Sequence, residues 1–156
     1  MLFSRKFQKL LVWCEHSELL GFDVNLNTPS KKCRQLFSFA TGQPRATHLT
    51  HNAKEKYIFV SFVDSSIGVY ENVGKYSKRP FFIDKVNFFN PVRKILNNFS
   101  RDQLIISCKE KCVAFSNPQS LKQRFILQVE QSELNGLLWD PEKRILWTYG
   151  NDKRLR

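Results

Sequence analysis

Apolar residues in this chain fall into short runs, such as Leu10–Trp13 (LLVW) and Tyr57–Val60 (YIFV), and polar turn residues follow each of them. The runs are rich in β-branched and aromatic side chains, and no helical stripe of apolar residues interrupts them. The pattern therefore predicts strands separated by turns throughout. No run approaches the roughly 18 apolar residues that a membrane-spanning helix needs.

The strands recur as a unit. Four segments lie over one another: KLLVWCEHSELLGFDV from Lys9, KYIFVSFVDSSIGVYE from Lys56, QLIISCKEKCVAFS from Gln103 and RILWTYGNDKRLR from Arg144. Their first apolar residues align as Leu10, Tyr57, Leu104 and Ile145, and a polar turn follows. In the first three, a second apolar run ends on an aromatic: Phe22, Tyr70 and Phe115. Beyond each aromatic come a polar loop and another apolar run (LFSFA, FFIDKV, FILQV). A further run precedes the later segments (ATHLT, VRKIL, LNGLLW). Each unit thus holds four short strands in about 45 residues, a period too long for a heptad.

In this the chain resembles the WD40-type β-propellers, whose repeats run about 40–45 residues and form four-stranded blades. Asp64-Ser-Ser-Ile-Gly-Val-Tyr70 stands in place of that family's Asp…Trp strand-turn signature. Asn151-Asp152-Lys-Arg-Leu-Arg156 looks like the same motif stopped before its aromatic, and Trp139-Asp140-Pro141 is similar to the end of a first strand and its turn. The resemblance implies an all-β, β-propeller-like fold of about three and a half WD40-type blades over residues 1–156. The blades are expected at about 1–40, 41–88 and 89–130, with an incomplete one at 131–156. Asp64 and Asp152 would be the structural turn aspartates. His16 and Lys109 take that position in the other repeats, and Gln43 and Glu130 stand where the family's loop histidine is expected. The family's buried hydrogen-bond network is therefore incomplete, and stability should rest more on aromatic packing.

A propeller removes its strand edges by closing a ring of typically 4–8 blades. Three and a half blades make an incomplete ring, expected to be a piece of a longer protein completed by missing sequence or, alternatively, by another chain. Alone, such an arc should be marginally stable and prone to aggregate through its exposed edges.

Composition narrows the picture. With 156 residues, 42% of them hydrophobic, and 14 Phe, 4 Tyr and 3 Trp, the chain has the bulk for a real core. Its basic start, free of acids until Glu15, has the composition of a mitochondrial presequence, but the repeat accounts for the same residues as strand. Four irregularly spaced cysteines (Cys14, Cys33, Cys108, Cys112) favour reduced thiols, and the expected location is intracellular, in the cytoplasm, with nucleus or mitochondrion as alternatives. Asn98-Phe-Ser100 spells a glycosylation sequon, silent without a secretory route.

The formal net charge of +11 is unevenly placed. In such a propeller, the loops joining first to second and third to fourth strands of each blade share one face. By the repeat, that face collects Lys31, Lys32, Arg34, Lys75, Lys78, Arg79, Lys122 and Arg124. It also takes Arg5, Lys6, Lys9, Lys54, Lys56, Arg101, Lys143 and Arg144, against only Glu55, Asp102, Asp140 and Glu142. Lysines in exposed turns also serve solubility and edge protection. The functional alternative is a surface for a polyanion. The first eight cations are the expected partner-binding residues of a non-enzymatic protein-interaction scaffold with an acidic partner. Direct RNA or anionic-membrane binding through the same face is the competing expectation.

Catalytic chemistry finds little support. Cys108 and Cys112, with His48 and His51, could chelate zinc, but their spacing matches no strong finger pattern. No Walker loop, dinucleotide-binding glycine fingerprint or G-x-S-x-G elbow is present. No enzyme activity, metal or cofactor is expected.

Overall fold

The computed structural model describes residues 1–24, 33–72, 79–88, 91–98, 102–108, 111–117, 122–128 and 133–156, with 111–117 and 122–128 described through their backbone. These residues form fourteen strands. The first sheet holds β1 (Leu2–Ser4), β2 (Lys9–Trp13), β3 (Glu18–Asp23) and β4 (Arg34–Ala40). The second holds β5 (Ala46–His51), β6 (Tyr57–Phe62), β7 (Ser66–Glu71) and β8 (Phe81–Asn87). The third holds β9 (Val92–Asn98), β10 (Gln103–Cys108), β11 (Lys111–Asn117) and β12 (Lys122–Gln128), and β13 (Leu134–Asp140) pairs with β14 (Ile145–Gly150). Every sheet is an antiparallel meander in sequence order, so each is built from local hairpins. Past β14 the chain turns back, and Leu155 bridges Tyr149 while Thr148 and Arg156 exchange backbone hydrogen bonds, the beginning of a third strand.

The first strands β1, β5, β9 and β13 lie against one another in succession, placing them on the inside of an arc. The fourth strands β4 and β8 are largely exposed, as outer strands should be. The middle strands carry the core. All six residues of β6 are buried, and five of the six in each of β7 and β10. Such strands are largely apolar on both faces because the second and third blades, to which they belong, are covered on both sides.

Alternation assigns those faces to different cores. Tyr57 and Phe59 of β6 pack with Ile95, Leu104 and Ile106 of the third sheet. Ile58, Val60 and Phe62, on the alternate positions of the same strand, pack with Leu11 and Leu19 of the first. A third cluster joins Ile105 to Leu134 and Leu137. Full burial of each such side chain contributes roughly 1.5–3 kcal/mol, so the sheets are held together chiefly by these sandwiched layers. Aromatic edge contacts concentrate at the first boundary, where Trp13 meets Phe62 at 5.4 Å and Tyr70 at 5.9 Å between ring centroids.

The cross-strand register corrects one alignment made from sequence. Ser4 pairs Lys9, Asn98 pairs Gln103, Asp140 pairs Ile145, and the Asn52 amide bonds the Tyr57 carbonyl. Equivalent positions are therefore Lys9, Tyr57, Gln103 and Ile145, followed by Leu10, Ile58, Leu104 and Leu146. Tyr57 and Ile145 are thus displaced by one from the expected row, which puts them on the opposite face. The aromatic row does align, because Phe22, Tyr70 and Phe115 pair with Leu10, Ile58 and Leu104.

Candidate protein-interaction face

In a sequential meander, first-to-second turns and third-to-fourth loops must lie at one end of the blades, and the remaining connections at the other. At the first end the turns before β2, β6, β10 and β14 each carry a non-glycine residue in the left-handed region: Gln8 (φ 51°), Glu55 (54°), Asp102 (47°) and Arg144 (57°). Such a backbone costs about 1 kcal/mol for an L-residue, so the tertiary contacts of these turns must hold it.

Two of these residues cross to the preceding blade. Glu55 Oε2 accepts the Ser4 hydroxyl at 2.5 Å and the Lys6 amide at 2.9 Å. One blade on, Asp102 accepts the Ala53 amide at 3.0 Å and the Asn52 side-chain amide at 3.4 Å. Burial alone would push the Glu55 carboxyl up, but the hydrogen bonds from Ser4 and Lys6 outweigh it and hold it below the usual range. Asn52 in turn accepts the Tyr57 amide at 2.9 Å, and Asn97 donates to the His51 carbonyl at 2.5 Å. Successive turns are tied blade to blade by these bonds, a device that sequence reading missed because its partners lie some fifty residues apart.

The expected partner-binding cations divide into three groups. Lys31, Lys32, Lys75 and Lys78, with Arg101, lie outside the described residues. Lys122 and Arg124 belong to β12, whose side chains likewise lie outside the description. Arg34 begins β4 and is exposed. Arg79 is exposed before β8, its guanidinium carbon 5.1 Å from the Phe39 ring centroid, so that it bridges the outer rims of the first two blades. Arg5, Lys6, Lys54, Lys56, Lys143 and Arg144 are exposed at the same end.

Two details change the expected charge pattern. Lys9, counted with the surface cations, is 1% exposed, and burial lowers its pKa, with Asp23 opposing the shift. Glu71 closes β7 at this end and pairs with Lys56 at 3.3 Å, so the acids here number more than the four expected. Hydrogen bonds with Tyr57 and Glu71 hold the Lys56 ammonium above its ordinary range.

At the opposite end Asp64 and Asp152 share one geometry. Asp64 Oδ1 accepts the Ser66 amide at 3.1 Å and its hydroxyl at 2.5 Å, while Oδ2 meets Lys85 Nζ at 2.8 Å. Asp152 Oδ1 accepts the Arg154 amide at 3.2 Å and Oδ2 meets the Arg156 guanidinium. The residue after each aspartate is left-handed, Ser65 at φ 67° and Lys153 at φ 60°. Burial would raise the Asp64 carboxyl, but bonds from Lys85 and Ser66 hold it below the usual range.

The buried network is incomplete among the described residues. The Trp13 and Trp139 indole nitrogens and the Tyr70 hydroxyl are buried without a hydrogen-bond partner. The zinc candidates fall on three different strands. His48 and His51 are on the inner strand β5, Cys108 is buried in the core between the second and third sheets, and the Cys112 side chain lies outside the description. Burial, then the charge of Lys94, lowers the His48 pKa. Among the described residues no group of three or more His, Cys, Asp or Glu is placed to hold a metal.

Four-stranded meanders stacked side by side, first strand innermost, define a β-propeller, here an open arc with three four-stranded blades and a two-stranded fourth among the described residues. No family model and no curated protein matches the chain. Solved structures do. The Cps50 (Swd1) β-propeller domain of Myceliophteria thermophila superposes with a TM-score of 0.75 at 11% identity, over 97% of this chain and 49% of that one. Two proteins provisionally named 6-phosphogluconolactonases superpose over 97% of this chain and 47% of theirs. The Bacteroides uniformis protein has a TM-score of 0.76 at 13% identity, and the Bacteroides fragilis protein 0.77 at 12%. At such identities the likeness is one of fold, and the chain spans about half the length of each propeller it matches.

Proposed function

We propose that this arc serves as a non-enzymatic scaffold whose basic loop end receives an acidic protein surface. The observation that carries the reading is how the acids at that end are used. Glu55 and Asp102 direct their carboxylates at hydroxyl and amide donors of the neighbouring blade, and not at the exposed cations Lys6 and Lys54 beside them. Those cations therefore keep their donors for a partner while the turns that carry them are held in fixed relation. Exposed ion pairs contribute little individually, so recognition would depend on several cations acting together.

The test reverses Lys6, Lys54, Lys75 and Lys78 to glutamate and measures binding of a glutamate-rich peptide, a single-stranded RNA and phosphatidylserine vesicles across a salt series. The scaffold reading expects salt-sensitive peptide binding that the reversal abolishes without shifting the melting temperature. Unchanged peptide binding by the variant removes this face as the site. Preference for RNA, with a steep salt slope, or for vesicles replaces the acidic protein as partner.

A further inference from the structure

Away from the two ends of the arc, the large apolar side chains open to solvent among the described residues are concentrated on one strand, with Val63 alone elsewhere. In β8, Phe81 is 67%, Phe82 39% and Ile83 42% exposed. The matching strand of the first blade differs, since β4 gives its exposed positions to Arg34, Gln35, Ser38 and Ala40. Outer strands are ordinarily guarded by charged or polar residues, and a contiguous open apolar patch is the usual sign of an interaction surface. Both walls of this rim lie inside the arc. Phe39 of β4 packs on the cluster between the first two sheets, and Phe82 pairs with Tyr70 of that cluster, their ring centroids 5.3 Å apart. A blade added before β1 or after β14 would not reach it.

Arg79 spans the same rim, its guanidinium carbon 5.1 Å from the Phe39 ring centroid, and among the described residues no acid pairs with it. Stacking on the ring orients the planar fork while its N–H edge stays open to a carboxylate. The one acid of β8, Asp84, accepts the Lys85 amide at 2.7 Å, and Lys85 is itself paired with Asp64. An apolar shelf therefore stands beside a single oriented and uncompensated cation, the combination of side chains that most often anchors an interface. We propose that the rim between the first two blades docks a short acidic and apolar segment of a partner protein. The segment lays an apolar side chain on Phe81, Phe82 and Ile83 and a carboxylate on Arg79. This rests on the acidic-protein reading above and gives that partner an apolar requirement that the basic loop end alone would not impose. Charge favours such a segment over a second copy, because the same rim of another chain would offer Arg79 only an acid that is already engaged.

The experiment titrates the 156-residue chain, by fluorescence anisotropy, with two labelled octapeptides of equal charge. One alternates glutamate with leucine and the other glutamate with serine. The proposal expects the leucine peptide to bind about tenfold more tightly, the effect of burying one leucine side chain. Phe81→Ser combined with Ile83→Ser should erase that preference, and Arg79→Gln should weaken the leucine peptide by about tenfold. Val63→Ser, at the opposite end of the same blade, should change neither. A benzophenone carried by the leucine peptide should cross-link to β4 or β8 of the wild-type chain, which decides the matter if the variants fail to fold. Equal affinity for the two peptides, a preference that survives the changes at Phe81 and Ile83, cross-links confined to other strands, or self-association of the chain that those changes abolish would each overturn the proposal. Reversal of Lys6, Lys54, Lys75 and Lys78 separates this site from the basic end. Loss of both peptides on reversal, with no leucine preference beforehand, keeps the basic end and removes the rim. Undiminished binding with the preference intact keeps the rim and removes the basic end.

Discussion

The Ser4 hydroxyl donates to the Glu55 carboxylate at 2.5 Å, and this bond joins the turn of the first blade to that of the second. Because Glu55 titrates below its usual range when folded, its contribution to stability is complete above about pH 4.5, the ordinary glutamate value, and is lost as pH falls through the depressed folded value. Losing this hydrogen-bonded carboxylate in Glu55→Gln should cost about 1 kcal/mol near neutrality and flatten the decline of melting temperature as the pH falls below the ordinary glutamate value. Thermal melts of both proteins across that range check it, and an unchanged slope would remove Glu55 from the acid response.

Lys9 occupies a position filled by Tyr57 and Ile145 in other blades, and burial disfavours its charged form. A lysine whose folded pKa is lowered costs stability below that pKa, and the cost disappears as pH rises toward 10.5. Lys9→Met should accordingly raise the melting temperature at pH 7 by about 2–4 °C, a gain of about 1 kcal/mol, and the difference should shrink at alkaline pH. A loss at neutral pH would mean that the contacts of the ammonium outweigh its desolvation.

Tyr70 is 2% exposed with its hydroxyl unpartnered, and burial pushes that hydroxyl's pKa well up. Its ring meets Trp13 and, at 5.3 Å, Phe82. Tyr70→Phe keeps the ring contacts while removing a buried unpaired group, so stability should hold or rise by about 1 kcal/mol. Denaturant unfolding measures this directly, with Tyr70→Ala as the contrasting large loss of about 3–5 kcal/mol.

Gly21 lies beneath the Phe37 ring, and a Cβ there would stand 2.3 Å from the nearest ring atom. Gly21→Ala should destabilise by about 1–3 kcal/mol through overpacking. Combining it with Phe37→Leu should recover part of the loss, and a double-mutant cycle that shows simple additivity would contradict the contact.

Much of the architecture could be read from the chain because each strand is short, apolar and followed by turn residues. The resemblance to WD40-type propellers agrees with the fold observed. The one-residue slip at Tyr57 was not readable. A strand buried on both faces, such as YIFVSF, has no polar alternation to fix its register, and only pairing across the turn sets it. The burial of Lys9 was hidden for the complementary reason, since a lysine beside a turn looks like surface until the next blade covers it. Glu55 and Asp102 looked like stray acids on a basic face. Their role depends on a neighbouring turn that no local pattern announces.

Phe59 and Val60 are adjacent in sequence, yet each belongs to a different core. A disturbance of β6 therefore loosens both neighbouring blades together. The same holds at β10, where Leu104 and Ile105 divide in the same way. Mechanical load or heat applied anywhere along the arc would be shared by all its blades, and partial melting would have no natural stopping point within it.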